Sequence, residues 1–312
     1  MSVSSPRAAS TPRVAARRRI RISVRSIIVY VGAVIAFFYL LGPFAWVIIS
    51  SFMTLGEATS VPPHWIPQHP TLDNYVVYFN RAALAGYRPE TQLTVGVVAR
   101  EIPTALRNSA IVAVAVAVVN ILVGSLTAYP FARQKFVGRG PLLMVYLVTR
   151  MVPSLALVLP VYLLMRQFQL LDTHLGLVAM YLSFTLPYTV WILKNYFSTI
   201  PRELEEAAYV DGAGWLVAMA RVVLPVALPG LITVGMFSFM SSWGEFFYAL
   251  LLTTTINART IPVEATFLVG ELGNEYGFLS GASVLAVIPP LILALIFQRV
   301  IIQGISAGAL KG

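Results

Sequence analysis

The sequence contains no cysteine, which excludes disulfides, zinc-thiolate centres and thiol nucleophiles. Its three histidines, His64, His69 and His174, are scattered without ligand spacing, so no metal site is expected. Charge is scarce as well: Asp, Glu, Lys and Arg make up 11% of the chain, roughly half the share of an ordinary soluble domain. There is no G-x-x-x-x-G-K-[ST] run to cradle a nucleotide phosphate, and no Ser-His-Asp or carboxylate-pair arrangement that would make the chain an enzyme. No catalytic residue and no cofactor are therefore assigned to it. Basic residues outnumber acidic ones, 22 to 13. No aromatic-basic motif accompanies them, so nucleic acid is not an expected partner; in a chain this apolar, such an excess marks the cytoplasmic flanks of membrane spans.

Apolar residues, by contrast, make up 58% of the 312 residues, and mean hydropathy is +0.78. This is the composition of an all-α integral membrane protein with several spans. Six spans are predicted, at about 27–52, 107–129, 141–165, 175–196, 226–252 and 282–302. The first contains a 23-residue apolar run, Ile27 to Ile49, about 34 Å long as a helix. No small-x-small cleavage site follows it, so it reads as an uncleaved span rather than a signal peptide. Residues 1–26, rich in Ser, Pro and Arg, read as a disordered basic tail in contact with lipid head groups. Residues 53–103, with PPHWIPQHPTLDNY, read as an external segment packed near the membrane surface. Residues 253–281 read as an external loop, and 305–312 as a flexible tail. Sorted by this topology, 15 Lys and Arg fall on the side of the N-terminus, six on the other, and Arg150 within the membrane. Both termini are thus expected in the cytoplasm.

Between the fourth and fifth spans, residues 198–225 carry four of the thirteen acidic side chains: Glu203, Glu205, Glu206 and Asp211. Ser198 or Thr199 can cap a helix with Pro201 in its first turn, and acids near its start suit the helix dipole. Asp211-Gly212 supplies a stop, where a side chain in place of Gly212 would strain the turn. Trp215 to Val223 is a second short helix. Two helices this short need a partner, and Ala207 and Ala208, beside Glu206 and Tyr209, offer a low-relief face for one. A plain connecting loop would need only a few residues.

Glu206-Ala207-Ala208, Asp211-Gly212-Ala213, Leu224-Pro225 and Pro229 resemble the "EAA" coupling loop of bacterial ABC-importer permeases. Tyr129-Pro130-Phe131-Ala132-Arg133 with Phe136 and Gly138-Arg139 is similar to another stretch of that family, with Pro130 replacing the usual Ala. Trp243-Gly244-Glu245-Phe246 resembles its W-N-E-F pattern, with Gly244 replacing Asn. The external P-x-W-x-P segment and the SAGALKG tail resemble the maltose-transporter type. The resemblance implies the type I importer fold. It also implies coupling to a separate ATPase through Glu205, Glu206, Ala207, Ala208, Tyr209, Asp211, Gly212 and Ala213, and tail contacts to that ATPase from Leu310, Lys311 and Gly312. ATP and magnesium would be bound by the ATPase dimer. The other implied partners are a second permease and an extracytoplasmic substrate-binding protein, and the cargo is a carbohydrate.

Asn120, Arg150, Ser183, Ser242 and Glu245 are the polar residues of the spans assigned to a translocation path. Arg150 in mid-span is expected to face protein or water. It lines the path, lies shallower than the spacing suggests, or pairs with Glu245. Glu245 is a structural acid or a path residue. An ion-gradient-driven transporter acting as a homo-oligomer is the competing class. It calls for charged relays in several spans, and only Arg150 and Glu245 qualify.

Overall fold

A computed structural model describes residues 24–87, 89–272 and 275–309. Among the described residues the chain is helical, with no strand. It divides into two compact units, Met1–Trp46 and Val47–Gly312. Within the first lies most of α1 (Val24–Ser50), whose side chains are almost all exposed, as suits a surface that meets lipid. The helix begins at Val24, so the last residues of the expected basic tail are helical. The rest of that tail, and Leu310 to Gly312, lie outside the described residues.

In the second unit, α2 (Leu55–Ala58) and α3 (Asp73–Val76) are single turns within the proline-rich segment. They lead into α4 (Pro89–Arg133), which at 45 residues is about 68 Å long. The last part of the expected external segment, from Pro89 to residue 103, is the helical start of α4. Val95, Val98, Ala99 and Ile102 are buried, and their spacing of three and four places them on one helix face. Arg100 and Glu101 lie between them, and Thr91, Gln92 and Thr94 come just before, so that stretch is amphipathic rather than uniformly apolar.

The third expected span is α5 (Arg139–Val148) and α6 (Val158–Gln167), with two 3-10 turns between. The two arms, Arg139–Met151 and Ser154–Gln167, meet at 91°. Pro153 sits at the bend, where its ring removes a backbone donor. Next comes α7 (His174–Phe197), close to the fourth expected span, with Thr173 capping it by accepting the Gly176 amide at 3.0 Å. Then follow α8 (Glu203–Val210), α9 (Trp215–Ala218), a π-turn at Met219–Val223 and α10 (Leu224–Val226).

The fifth expected span is interrupted. Its helix α11 (Leu228–Trp243) stops at Gly244, and α12 (Phe247–Leu252) restarts beyond Glu245. The expected external loop at 253–281 contains α13 (Ile261–Leu272), a short helix whose Ile261, Val263 and Leu268 are buried. The last helix, α14 (Tyr276–Ala309), starts earlier than the sixth expected span and takes in residues 305–309 of the expected tail. Among the described residues four helices are long and apolar enough to cross a membrane, or up to six spans if each of the two bent pairs is one.

Helix α4 is the common wall of three buried clusters. Near its start, Val95 to Ala105 pack with Tyr78, Phe239, Trp243, Leu268 and Phe278. Val112 and Val116 meet Leu177, Tyr181 and Leu252. At its end, Ala128 to Ala132 pack with Leu193, Phe197, Met219 and Val223.

Candidate functional site

Ser198 and Thr199 do not cap α8. Their hydroxyls donate to the carbonyls of Lys194 and Tyr196, both at 2.7 Å, and so close α7. The following helix starts at Glu203, one turn's length of chain past the expected caps, with no side-chain cap but with Glu203, Glu205 and Glu206 in its first turn. At its other end Gly212 takes φ +82°. Its amide donates to the Tyr209 carbonyl and that of Ala213 to the Ala208 carbonyl, both at 3.0 Å, a glycine stop of the left-handed kind.

Of the residues assigned to coupling, Glu205 alone is buried, while Glu206, Ala207, Tyr209, Asp211 and Gly212 are exposed and Ala208 and Ala213 half-buried. The Glu205 carboxylate accepts the Tyr129 hydroxyl at 2.6 Å and pairs with the Arg133 guanidinium at 2.5 Å. Tyr129 also meets the Tyr209 hydroxyl at 3.0 Å, and Trp215 stacks on its ring at 6.0 Å. Arg133 donates to the Ile200 carbonyl at 3.0 Å. Sequence reasoning marked Tyr129 and Arg133 as part of a family-like stretch without joining them to Glu205. Their spacing of four residues at the end of α4, which puts both side chains on one helix face, was the available signal.

The second feature is a cavity of about 660 Å³ at the bend between α5 and α6, bounded by Arg150, Pro153, Ser183, Phe184, Glu245 and Tyr248 among others. Three of the five expected path residues, Arg150, Ser183 and Glu245, therefore line one space. Asn120 and Ser242 do not: both are buried, and the Asn120 amide donates to the Thr185 hydroxyl at 2.8 Å. Nor do Arg150 and Glu245 form an ion pair among the described residues. The Arg150 guanidinium lies 5.6 Å from the Phe184 ring centre. The Glu245 carboxylate accepts the amides of Tyr248 at 2.9 Å and Ala249 at 3.0 Å, holding the first turn of α12. Glu245 thus has a structural task while still facing the cavity.

A polar network lies where α13 meets the first part of α4. Asp172, in the turn before α7, accepts the amides of Thr254 and Thr255 at 3.0 Å and the Thr255 hydroxyl at 2.5 Å. Burial would raise its carboxyl; the Thr255 hydroxyl, these amides and Arg259 outweigh that and hold it below the ordinary range. Arg259 donates to the buried Glu264 at 3.1 Å and lies 3.8 Å from Glu101. Burial pushes the Glu264 carboxyl up to about 7, against the Arg259 hydrogen bond and with help from the neighbouring Glu101. A raised carboxyl contributes stability that is whole below the ordinary value of 4.5 and is lost as pH climbs through about 7. Thermal melts of the detergent-solubilised chain from pH 4.5 to 8 should therefore show a downward slope relative to Glu264→Gln, whose profile is flatter. Parallel profiles would mean that Glu264 titrates normally. No cluster of three or more metal-ligating side chains occurs among the described residues.

A family model described as "Binding-protein-dependent transport system inner membrane component" matches residues 105–307. The chain belongs to this family. The permease is 33% identical over 290 residues to the trehalose/maltose transport system permease protein MalG of Thermococcus litoralis, covering 93% of this chain and 98% of the relative. It is 32% identical to the sulfoquinovosyl glycerol transport system permease protein SmoH of Agrobacterium fabrum, covering 86% and 88%. A third relative, the diacetylchitobiose uptake system permease protein DasC of Streptomyces coelicolor, is 30% identical, covering 90% and 96%. In fold the permease resembles a chain of a bacterial ABC transporter that imports the acidic polysaccharide alginate. The TM-score is 0.72 at 21% identity, with 93% and 99% of the two chains covered. The all-α ABC-importer permease fold of type I follows from this likeness.

Proposed function

We propose that this permease forms half of the translocation path of an ATP-driven, binding-protein-dependent importer for a carbohydrate, meaning a sugar, an oligosaccharide or a cargo of the polyol or glycerol-phosphate type. The observation that carries the reading is the exposed face of α8. Glu206 and Ala207 are exposed beside the half-buried Ala208 and present a low, open surface, and the same helix is pinned from behind by Glu205. This is the geometry of a helix built to enter a groove on another protein. An ATPase dimer holding ATP and magnesium would receive it, together with the tail residues Leu310, Lys311 and Gly312. Closure of the dimer would rock the spans between two rigid-body states. A second permease completes the path and an extracytoplasmic binding protein delivers the cargo. Both termini lie in the cytoplasm of a bacterial cell, and the chain itself sits in the inner or plasma membrane. The names of the relatives support the carbohydrate class. An ion-gradient mechanism finds less support, since Glu245 already serves the amides of α12.

The test is to tag the chain, extract it in mild detergent and identify what accompanies it, then to measure uptake of labelled maltose, trehalose and other small saccharides with and without the gene. Recovery of an ATPase and a second permease, with saccharide uptake lost in the deletion, is the expected result. A homo-oligomer without an ATPase would sink the proposal.

The cavity adds its own prediction. A charged hydrogen-bond donor to a polar cargo contributes about 1.5–3 kcal/mol, so Arg150→Ala should lower uptake about tenfold or more. Assembly should persist, because Arg150 is exposed and touches Phe184 by cation-π contact. Unchanged uptake kinetics would remove Arg150 from the path.

A further inference from the structure

We propose that Glu205 is a positioning residue that locks α8 to the last turn of α4, so that the two move as one body when the ATPase acts. This rests on the coupling reading of α8 given above and supplies the joint that reading lacks. An eight-residue helix is about 12 Å long and cannot hold a fixed direction by itself. Glu205 is the only buried residue of α8, with Leu204 and Val210 among those turned outward. A push on the exposed face of α8 therefore reaches the spans through this carboxylate and the groups around it.

Those groups come from three directions. Tyr129 and Arg133 belong to the end of α4, Tyr209 to the end of α8, and the Ile200 carbonyl to the turn after α7. Trp215 covers the Tyr129 ring from the start of α9. Side-chain exposure is 9% for Arg133 and 5% for Glu205. An ion pair so shielded from water keeps its geometry, because separating the charges would leave both without compensation. The other half of the coupling stretch is fastened differently, by Met219 and Val223 in the apolar cluster at the end of α4. Apolar packing resists separation and tolerates sliding. The Glu205 bonds are directional and fix orientation as well. Since α4 also walls the two other buried clusters, a rotation delivered at Arg133 is carried along the whole helix.

The absence of cysteine makes the test direct. In the complete importer, Glu203→Cys on α8 and Leu126→Cys on α4, both exposed positions, are spin-labelled. The distance between the labels is measured without nucleotide and with ATP and vanadate. With Glu205 intact, the distribution should keep its centre and width in both states. In Glu205→Ala and in Tyr129→Phe, which keeps the ring on Trp215, it should widen or shift when the ATPase closes, and ATP hydrolysis should no longer respond to the loaded binding protein. A residue that merely stabilises the fold would lower the yield of complex without making the distance depend on nucleotide. Glu205→Gln, which can still accept the Tyr129 hydroxyl, should fall between. The proposal is overturned by a distance that already moves with Glu205 intact, or by one that stays fixed in both variants. If the unaltered chain recovers no ATPase at all, the coupling reading itself fails, an outcome seen before any label is attached.

Discussion

Glu206→Lys should leave the permease in the membrane at its usual level and strip it of its ATPase. The side chain is exposed, so reversing its charge breaks no buried contact. A cation in the first turn of a helix opposes the dipole by about 0.3–1 kcal/mol, too little to unfold a helix held by Glu205. A partner surface matched to a carboxylate would instead meet a longer side chain of the wrong sign beside the low Ala207-Ala208 face. Like-charge contact at an interface costs several kcal/mol, and each 1.4 kcal/mol is tenfold in affinity. Recovery of the ATPase on a tagged permease should therefore drop by about two orders of magnitude, with the second permease still present. The neighbouring Glu205→Lys separates the two roles. It would place a cation against Arg133 in a buried site, and loss of the chain from the membrane is expected. If Glu206→Lys recovered as much ATPase as the unaltered chain, α8 would not be the docking helix.

Those two glutamates also show where sequence reading ends. Glu203, Glu205 and Glu206 stand within four residues, and all three suit a helix start equally well. Only the position of α4 decides that Glu205 turns inward to Tyr129 and Arg133. Long apolar runs were legible because lipid demands continuous hydrophobicity: α1, α7 and the apolar part of α4 lie close to their expected places. The start of α4 and the whole of α13 were not, because these helices bury one face only. At the start of α4 the apolar positions are diluted by polar ones; α13 is apolar but only 12 residues long, and Glu264 lies buried in it through Arg259. The prolines of the third span were plain, but a 91° bend depends on what the two arms pack against. The same bend brings Arg150, Ser183 and Glu245 to one cavity. Asn120 and Ser242 have the same polar character and an equal claim by sequence. Helix rotation turned them into packed interfaces instead.

The pairing of α4 with α7 supplies the largest expected loss of stability. Gly124 lies where a Cβ would run into the Thr189 methyl group and approach Thr189 Cβ at 3.5 Å and a Leu193 methyl at 3.8 Å. In lipid, helices have no hydrophobic drive toward one another and associate through close packing of small residues. Thr189 is fully buried, and as a β-branched residue on a helix it is limited to two favoured rotamers, so it has little room to swing aside. Overpacking of this kind costs about 1–3 kcal/mol for a single methyl group. Gly124→Ala should lower the melting temperature of the detergent-solubilised permease by several degrees, and Gly124→Leu should prevent accumulation of folded chain. Thr189→Ala removes the obstructing methyl together with a hydroxyl that has no hydrogen-bond partner among the described residues. Added to Gly124→Ala, it should therefore restore much of the loss, with a coupling of about 1 kcal/mol or more between the two sites. Strictly additive melting shifts would mean that α4 and α7 approach elsewhere than at Gly124. They would also remove the rigid contact through which α4, turned at its end by the coupling stretch, is expected to carry α7 and the cavity wall with it.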